Sequence, residues 1–254
     1  MAEPEQGGGG EAGAVPSDGA EAVPAPSELR SHLALALDVD DLVAALRLAR
    51  ELKEWFGVAK VGLELFTASG PDAVGTLADL GYDVFLDLKL HDIPTTVYRA
   101  AAVAGAFGVR YLTLHAAGGT AMLQAGVEGL SEGATRAGLD PPTALAVTVL
   151  TSDDSAPPHL LSERVGTAVE AGCTGIVCAA PDIAQVRQIA PQLTVVVPGT
   201  RAAGAERHDQ VRVATPAAAL TFGADLLVIG RAVTAAPDRP AAAEALVASL
   251  REPV

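Results

Sequence analysis

The sequence predicts a single α/β domain folded as a (β/α)8 TIM barrel. Two observations support this prediction. From residue 30 onward, short β-rich runs alternate with stretches whose apolar residues recur at helical spacing, and such alternation implies parallel strands joined by right-handed crossovers. Eight of these units fit into residues 30–254, which suits a barrel whose usual length is about 250 residues.

The predicted strands are runs of four to seven apolar and β-branched residues bounded by charged residues or glycine. In chain order they are HLALALD (32–38), VAKVGL (58–63), DVFLDLK (83–89), RYLTLHA (110–116), ALAVTVL (144–150), GIVCA (175–179), TVVVPG (194–199) and DLLVIG (225–230).

Helices are predicted between the strands. The first lies in residues 41–56, with Asp40 or Asp41 as its cap. Its apolar residues share one helical face; they are Leu42, Ala45, Leu46, Ala49, Leu52 and Phe56. Similar patterns predict helices near 71–80, 95–107, 119–137, 160–171, 182–190, 215–222 and 240–251.

An open doubly wound sheet is the alternative arrangement of the same units. That fold often carries a glycine-rich phosphate-binding turn after an early strand. Here the first predicted strand continues into LALDVDDLVAALR, which contains no glycine. The closed barrel is therefore favoured.

Residues 1–29 predict a disordered tail that precedes the barrel domain of residues 30–254. Six acidic residues but no Lys or aromatic residue lie in this Gly-, Ala- and Pro-rich segment. Such a segment buries too little apolar surface to offset the entropy of ordering its backbone. It also lacks the basic start and apolar run of a signal peptide.

Composition excludes several classes of protein. A net charge of −14 argues against sequence-independent nucleic-acid binding, which needs basic surface. No apolar run approaches the roughly 20 uncharged residues of a membrane span. The only cysteines, Cys173 and Cys178, are expected to be buried thiols in a reducing compartment. We therefore expect a cytoplasmic protein that contacts neither nucleic acid nor membrane.

The third predicted strand carries unusual charge for a buried strand. Side chains alternate across a strand, so Phe85, Asp87 and Lys89 of DVFLDLKLHDIPTTV (83–97) share the face that we expect to point into the barrel. Asp87 and Lys89 come last, at the carboxyl end of the strand, where the active sites of such barrels form. The D-x-K spacing therefore predicts an acid and an amine side by side in a pocket.

Other strands end in polar or charged residues at the same height, and the opposite rim shows no comparable set. Several groups that converge on one rim predict a functional site more strongly than one ion pair does. These residues are Asp38, Lys60, Thr151, Gly199, Arg201, Gly230 and Arg231.

The ends of strands seven and eight predict a phosphate site, which recurs at this place in the barrel architecture. PGTR and GR supply glycine amides and two guanidinium groups there, and a guanidinium donates two hydrogen bonds at once to a phosphate. Residues 199–210 exceed the usual connection length. We interpret them as a lid with Gln210 at its far end.

These motifs resemble those of the bacterial-type orotidine 5′-phosphate decarboxylase family. The resemblance covers residues 32–250 in order. It rests on LALD, KVGLELFTASGP, FLDLKLHDIPTTV, TVLTS, PGTR with the later DQ and TP, and GADLLVIGRAVT. The resemblance implies decarboxylation of orotidine 5′-phosphate to UMP and CO₂, the last step of de novo UMP synthesis. It implies no cofactor and no metal.

The resemblance also implies roles for the charged residues near the reacting carbon. Asp38 and Lys60 would contact the ribose, and Lys60 would also join the charged network. Asp87 would lie beside the substrate carboxylate. Lys89 would deliver a proton to the carbon that loses CO₂.

A second group of residues would serve the partner subunit. By the same resemblance, Asp92, Ile93 and Thr96 would reach into the active site of the other protomer. The enzyme would then be a homodimer with shared active sites.

The remaining implied contacts hold the two ends of the substrate. Thr151 would bind the pyrimidine edge, while Arg201, Gln210, Gly230 and Arg231 would hold the phosphate and the closing lid. The chain departs from the family pattern in three places, where Thr95, Thr200 and Ala232 replace the more common Asn, Ile and Pro. None of the three replaces an implied catalytic group.

Two other functions remain open from the residues alone. A Mg²⁺-dependent sugar-phosphate decarboxylase or aldol-type synthase on the same barrel shares the D-x-K element and would stabilise an enediolate through its metal. A non-catalytic barrel would bind phosphate ligands without turnover. Sensitivity to a chelator separates the first alternative, and turnover separates the second.

Overall fold

The computed structural model describes Met1 and residues 27–150, 156–199 and 215–251. Within these ranges, eight parallel strands form a closed barrel in chain order, with β8 paired to β1. The strands are β1 (Leu33–Ala36), β2 (Val58–Gly62), β3 (Asp83–Leu90), β4 (Tyr111–His115), β5 (Thr143–Val147), β6 (Gly175–Val177), β7 (Thr194–Pro198) and β8 (Leu226–Ile229). The prediction of a closed barrel is confirmed, and each predicted strand end lies within three residues of the observed one.

Helices surround this barrel and connect its strands. They are α1 (Ser27–Ser31), α2 (Leu42–Glu51), α3 (Leu63–Ser69), α4 (Pro71–Asp79), α5 (Pro94–Ala106), α6 (Gly119–Arg136), α7 (Pro158–Glu170), α8 (Ile183–Ile189), α9 (Pro216–Thr221), α10 (Arg231–Thr234) and α11 (Arg239–Arg251). None of those in the described ranges is long and apolar enough to cross a membrane.

Three short helices were not predicted from the sequence. They are α1, α3 and α10, and each spans seven residues or fewer, too few to show a helical period. The first begins at Ser27, inside the segment assigned to the tail, and Leu29 packs against the core. Residues 2–26 of that tail lie outside the described ranges.

The first long helix begins at its expected cap but ends early. Asp41 has extended backbone dihedrals, and its carboxylate accepts a hydrogen bond from the Ala44 amide at 2.9 Å, which satisfies one of the free N–H groups at the helix start. The helix ends at Glu51 rather than near Phe56. Leu48, which was not among the residues predicted for the apolar face, is buried, whereas Leu46 is only partly buried.

Strand alternation divides the core into two parts. One face of the strands packs against the helices, and the other fills the barrel interior. The interior cluster consists of Ala34, Ala36, Val58, Phe85, Leu145, Val196, Leu226 and Val228. As predicted, Phe85 lies inside the barrel, while Val84 and Leu86 pack on the helix side. The next inward positions along each strand therefore emerge at the carboxyl-end mouth.

The amino-end rim carries an ion pair of its own, in addition to the converging set that the sequence predicts at the opposite rim. Arg187 of α8 donates to the carbonyl oxygens of Gly223 and Leu193 and forms an ion pair of 2.7 Å with Asp225. The Asp225 carboxylate also accepts from the Val195 amide. These charges are bonded to main-chain groups and fasten loops, so they contribute to stability.

Helices α5 and α6 pack closely because glycines line their contact. A Cβ atom on Gly105 would overlap the Leu130 carbonyl, and one on Gly133 would overlap the Ala102 carbonyl. The clashing atoms belong to backbone, which cannot move aside as a side-chain tip can. This contact fixes the position of α5, whose first turn directly follows His91, Asp92 and Ile93.

We predict that Gly133→Ala lowers the free energy of unfolding by about 1–3 kcal/mol, because the added methyl overpacks the helix contact. Gly75 provides the matched control. It is exposed in α4, and a methyl group added there would meet open space, so Gly75→Ala should raise stability by about 0.5–1 kcal/mol through helix propensity. Denaturant unfolding of both variants measures the difference. Equal effects would contradict the close packing of α5 and α6.

Candidate active site

A cavity of about 500 Å³ opens at the carboxyl-end mouth of the barrel. Its floor is apolar and includes Phe85, Val147 and Val228. Its wall carries charged groups from the first three strands, and the ends of β7 and β8 close the other side. An apolar pocket with a few converging polar groups is typical of a small-molecule site.

The backbone of β3 departs from regular geometry where its charged residues lie. Leu86 pairs with Leu112 and Leu90 pairs with Leu114, so three residues of β3 lie opposite the single residue Thr113 of β4. Lys89 has a φ of 50°, in the left-handed region that a residue with a Cβ rarely adopts. This irregularity brings both Asp87 and Lys89 to the cavity wall.

Four side chains form an alternating array of charge, which we call the rim array: Asp38, Lys60, Asp87 and Lys89. Lys60 Nζ lies 2.9 Å from Asp38 Oδ1 and 3.7 Å from Asp87 Oδ2. Lys89 Nζ lies 2.8 Å from Asp87 Oδ1. The two ammonium groups thus share one carboxylate.

Burial makes this pairing necessary. The Lys60 side chain is 10% exposed and that of Asp87 is 15% exposed, and an unpaired charge at such sites costs several kcal/mol. Lys89 is more open, at 34%, and its ammonium faces the cavity. Within the array, it is Lys89 that presents a positive charge to any molecule that fills the pocket.

Thr113 is a part of the site that the sequence interpretation missed. Its side chain is fully buried, and its hydroxyl accepts a hydrogen bond from the Lys89 amide at 2.8 Å and donates to Asp87 Oδ1 at 3.1 Å. Strand alternation applied to RYLTLHA would have found it, because Tyr111, Thr113 and His115 share the inward parity.

The structure does not bring Asp92 into the cavity of its own chain. Asp92 is exposed, and its carboxylate accepts from the Ile93 amide at 2.7 Å. With Thr96 it borders a separate hollow of about 310 Å³ beside β3. Ile93 is 66% exposed. These three residues lie on an outer surface next to the site.

The ends of β7 and β8 lie where the phosphate site was predicted. Gly199, Gly230 and Arg231 line the cavity, as does Ala232. Gly199 has a φ of 75°, which favours glycine. Three other predicted site residues, Thr151, Arg201 and Gln210, lie outside the described residues, as do residues 200–210 of the predicted lid.

Two histidines stack beside the site. The rings of His91 and His115 lie 5.4 Å apart, and the Ala117 amide donates to His115 Nδ1 at 3.2 Å. Burial lowers the pKa of His115, and the positive charges of Arg164, His91 and Lys89 lower it further. Neither histidine lines the main cavity.

The described residues contain no cluster of metal-binding side chains. In that part of the chain, no three His, Cys, Asp or Glu side chains are arranged to hold a metal ion. Cys173 and Cys178 are buried thiols that form no disulfide, as predicted, and burial raises the pKa of the Cys173 thiol to about 12.

Comparisons with known proteins agree on one family. The family described as Orotidine 5'-phosphate decarboxylase / HUMPS matches residues 31–246. A protein named orotidine 5'-phosphate decarboxylase from Anaeromyxobacter sp. (strain K) is 48% identical over 236 residues, or 89% of this chain and 99% of that protein. One of the same name from Moorella thermoacetica is 45% identical, covering 87% of this chain and 92% of that protein.

A solved structure supports the same relationship. The crystal structure of orotidine 5'-phosphate decarboxylase from Lactobacillus acidophilus has a TM-score of 0.72 and 33% identity, covering 87% of this chain and 99% of that one. An uncharacterized conserved protein from Geobacillus kaustophilus gives a TM-score of 0.73 at 32% identity, over 86% of this chain and 100% of that one.

We predict that His115 titrates below its ordinary pKa of 6.5, and that Arg164→Gln raises its midpoint by removing a nearby positive charge. Histidine NMR titration measures both, with His115→Asn identifying the resonance. The pKa of His115 is lower in the folded state than in the unfolded state. The stability that neutral His115 contributes is therefore present above about pH 6.5 and is lost as the pH falls through the folded-state pKa. A His115 midpoint at or above 6.5 would contradict the described burial.

Proposed function

Because this chain belongs to the orotidine 5′-phosphate decarboxylase / HUMPS family, we propose that its rim array carries out the decarboxylation of orotidine 5′-phosphate with Lys89 as the proton donor. The chain is an enzyme of pyrimidine biosynthesis that forms UMP and CO₂. The observation that carries the mechanism is the pairing of Lys89 with Asp87 at 2.8 Å on the cavity wall.

The chemical step needs one proton. The bond between carbon six of the pyrimidine and its carboxylate breaks, CO₂ leaves, and the electron pair stays on carbon six. That carbon takes a proton from the Lys89 ammonium and becomes the C–H of UMP, and water then reprotonates the amine. Orotidine 5′-phosphate and one proton thus give UMP and CO₂.

A fixed ammonium lowers the barrier because negative charge develops in the transition state. Two unit charges about 4 Å apart interact by about 4 kcal/mol at an effective dielectric near 20. If that interaction arises only in the transition state, it accelerates the reaction by about three decades. The remaining rate acceleration must come from a site whose dipoles are fixed in advance and from which water is excluded.

Asp87 has two effects on the bound substrate. It holds Lys89 and Lys60 in place, and its carboxylate would lie beside the carboxylate that leaves. Repulsion between the two carboxylates raises the free energy of the bound substrate, and the loss of CO₂ removes this repulsion. Lys60, with a second carboxylate partner in Asp38, helps to orient Asp87 through their ion pair.

The remaining groups bind the substrate away from the reacting carbon. We assign the ribose to Asp38 and Lys60, the pyrimidine edge to Thr151, and the phosphate to Gly230 and Arg231. Arg201 and Gln210 would complete the phosphate contacts from the lid. Binding energy from the phosphate would drive lid closure and hold the base against Lys89.

The working unit in this proposal is a cytoplasmic homodimer with shared active sites. Asp92, Ile93 and Thr96 would contact the substrate bound by the partner protomer. Support comes from their exposure on the surface next to the cavity, where Ile93 is an exposed apolar side chain. A twofold axis at this surface would place each Asp92 near the partner's site.

We predict that Lys89→Ala lowers kcat by more than about 1,000-fold, because it removes both the proton donor and the positive charge. UMP binding should persist. Ultraviolet monitoring of orotidine 5′-phosphate with purified protein in EDTA measures turnover. Lys53→Ala is the matched control, since Lys53 lies over the Tyr82 ring, away from the cavity, and should leave kcat unchanged.

Two outcomes of that assay would count against the proposal. A Lys89→Ala enzyme with wild-type turnover would exclude Lys89 as the proton donor. Loss of wild-type activity in EDTA, restored by Mg²⁺, would indicate a metal-dependent reaction on the same barrel.

We predict that Lys89→Ala and Asp92→Ala proteins, each inactive alone, regain activity when mixed. Random exchange of subunits leaves one intact site in half of the dimers, which gives about a quarter of the wild-type activity. Two affinity tags verify that heterodimers form, and the Lys89→Ala/Asp92→Ala double variant is the control without an intact site. Verified heterodimers with no activity would refute shared sites.

A further inference from the structure

We propose that Thr113 is a positioning residue for the decarboxylation, an inference that rests on the function proposed above. Thr113 does not line the cavity, so it would act through Asp87 and Lys89. Its single hydroxyl forms hydrogen bonds with the side chain of Asp87 and with the backbone amide of Lys89.

The backbone of Lys89 is irregular at the point where it contacts Thr113. Three residues of β3 face one residue of β4 at this point, and the extra residues of such a bulge leave the regular ladder. The Lys89 amide there donates to the Thr113 hydroxyl at 2.8 Å. Because Lys89 has a φ of 50°, a conformation that costs energy for a residue with a Cβ, this hydrogen bond offsets part of the strain.

Thr113 also holds the carboxylate of Asp87. Its Oδ1 accepts from both Lys89 Nζ at 2.8 Å and the Thr113 hydroxyl at 3.1 Å, while its Oδ2 lies 3.7 Å from Lys60 Nζ. Two hydrogen bonds to Oδ1 and one ion pair at Oδ2 together fix the orientation of the carboxylate. The orientation of Asp87 then fixes the direction of the Lys89 ammonium.

Burial explains why only a hydroxyl fits this role. The Thr113 side chain is fully buried, and its hydroxyl acts as acceptor and donor at once, which few side chains of this size can do. Valine has nearly the same shape but neither capacity. It would leave the Lys89 amide and one side of Asp87 without their partner.

The experiment compares Thr113→Val with Thr113→Ser. Thr113→Val should lower kcat about 10- to 100-fold, the usual consequence of removing a hydrogen bond to a charged group. KM for orotidine 5′-phosphate should change less than about threefold, because the ribose and phosphate contacts remain. Thr113→Ser should restore kcat. If Thr113→Val fails to fold, Thr113→Ala gives the same comparison.

Thr148→Val is the matched control for loss of a buried hydroxyl. Thr148 is equally buried, and its hydroxyl donates to the Val177 carbonyl at 2.9 Å, without touching Asp87 or Lys89. The Thr148→Val variant should be less stable than the wild type, while its kcat stays near that of the wild type. An unchanged kcat in Thr113→Val would overturn the inference, as would equal losses in Thr113→Val, Thr113→Ser and Thr148→Val.

Amide hydrogen exchange of Lys89 separates this inference from the proposed function. Exchange should accelerate in Thr113→Val and not in Thr113→Ser, whether or not the protein decarboxylates the substrate. A wild-type protein without turnover would refute the proposed function alone. Unchanged exchange at Lys89 in Thr113→Val would refute the positioning role alone.

Discussion

The structure of the site depends on one carboxylate, that of Asp87, held between two ammonium groups. Lys60 is nearly buried, and Lys89 faces the cavity. Two positive charges this close would repel each other strongly in a partly dry pocket. Asp87 makes their coexistence possible, and it thereby keeps an ammonium facing the cavity at the place where a substrate must bind.

The barrel positions this interaction through strand geometry. Lys60 and Asp87 lie on adjacent strands that pair in register, and the bulge in β3 lets Lys89 follow Asp87 on the same wall. The amino-end rim also carries charge, but there Arg187 is bonded to loop carbonyls and to Asp225. The two rims therefore differ in what their charges bind, and within the described residues it is the carboxyl-end mouth that offers charge to a ligand.

Packing outside the barrel affects the same site. Helix α5 begins at Pro94, directly after the segment that carries Asp92, and its position is fixed by the glycine contacts with α6. A shift of α5 would move Asp92 and Ile93 relative to the cavity. The close helix contact thus links the apolar core to the surface that we assign to the shared site.

The sequence by itself determined the fold class and most of the charged residues of the site. Eight β-rich runs that alternate with helical stretches predict parallel strands, and the absence of a glycine-rich turn after the first strand favours the closed barrel over an open sheet. Strand alternation placed Asp87 and Lys89 on one inward face, and the adjoining strand ends added Lys60 and Asp38. These inferences succeed because a two-residue period is a local property of the chain.

Tertiary structure decided what local periodicity does not contain. The bulge in β3, the left-handed backbone of Lys89 and the role of Thr113 all arise from the pairing of β3 with β4. The short helices α1, α3 and α10 are stabilised by their neighbours rather than by a pattern of their own. The ion pair at the amino-end rim could not be predicted for the same reason, because Arg187 and Asp225 are 38 positions apart and meet only when β8 pairs with β7.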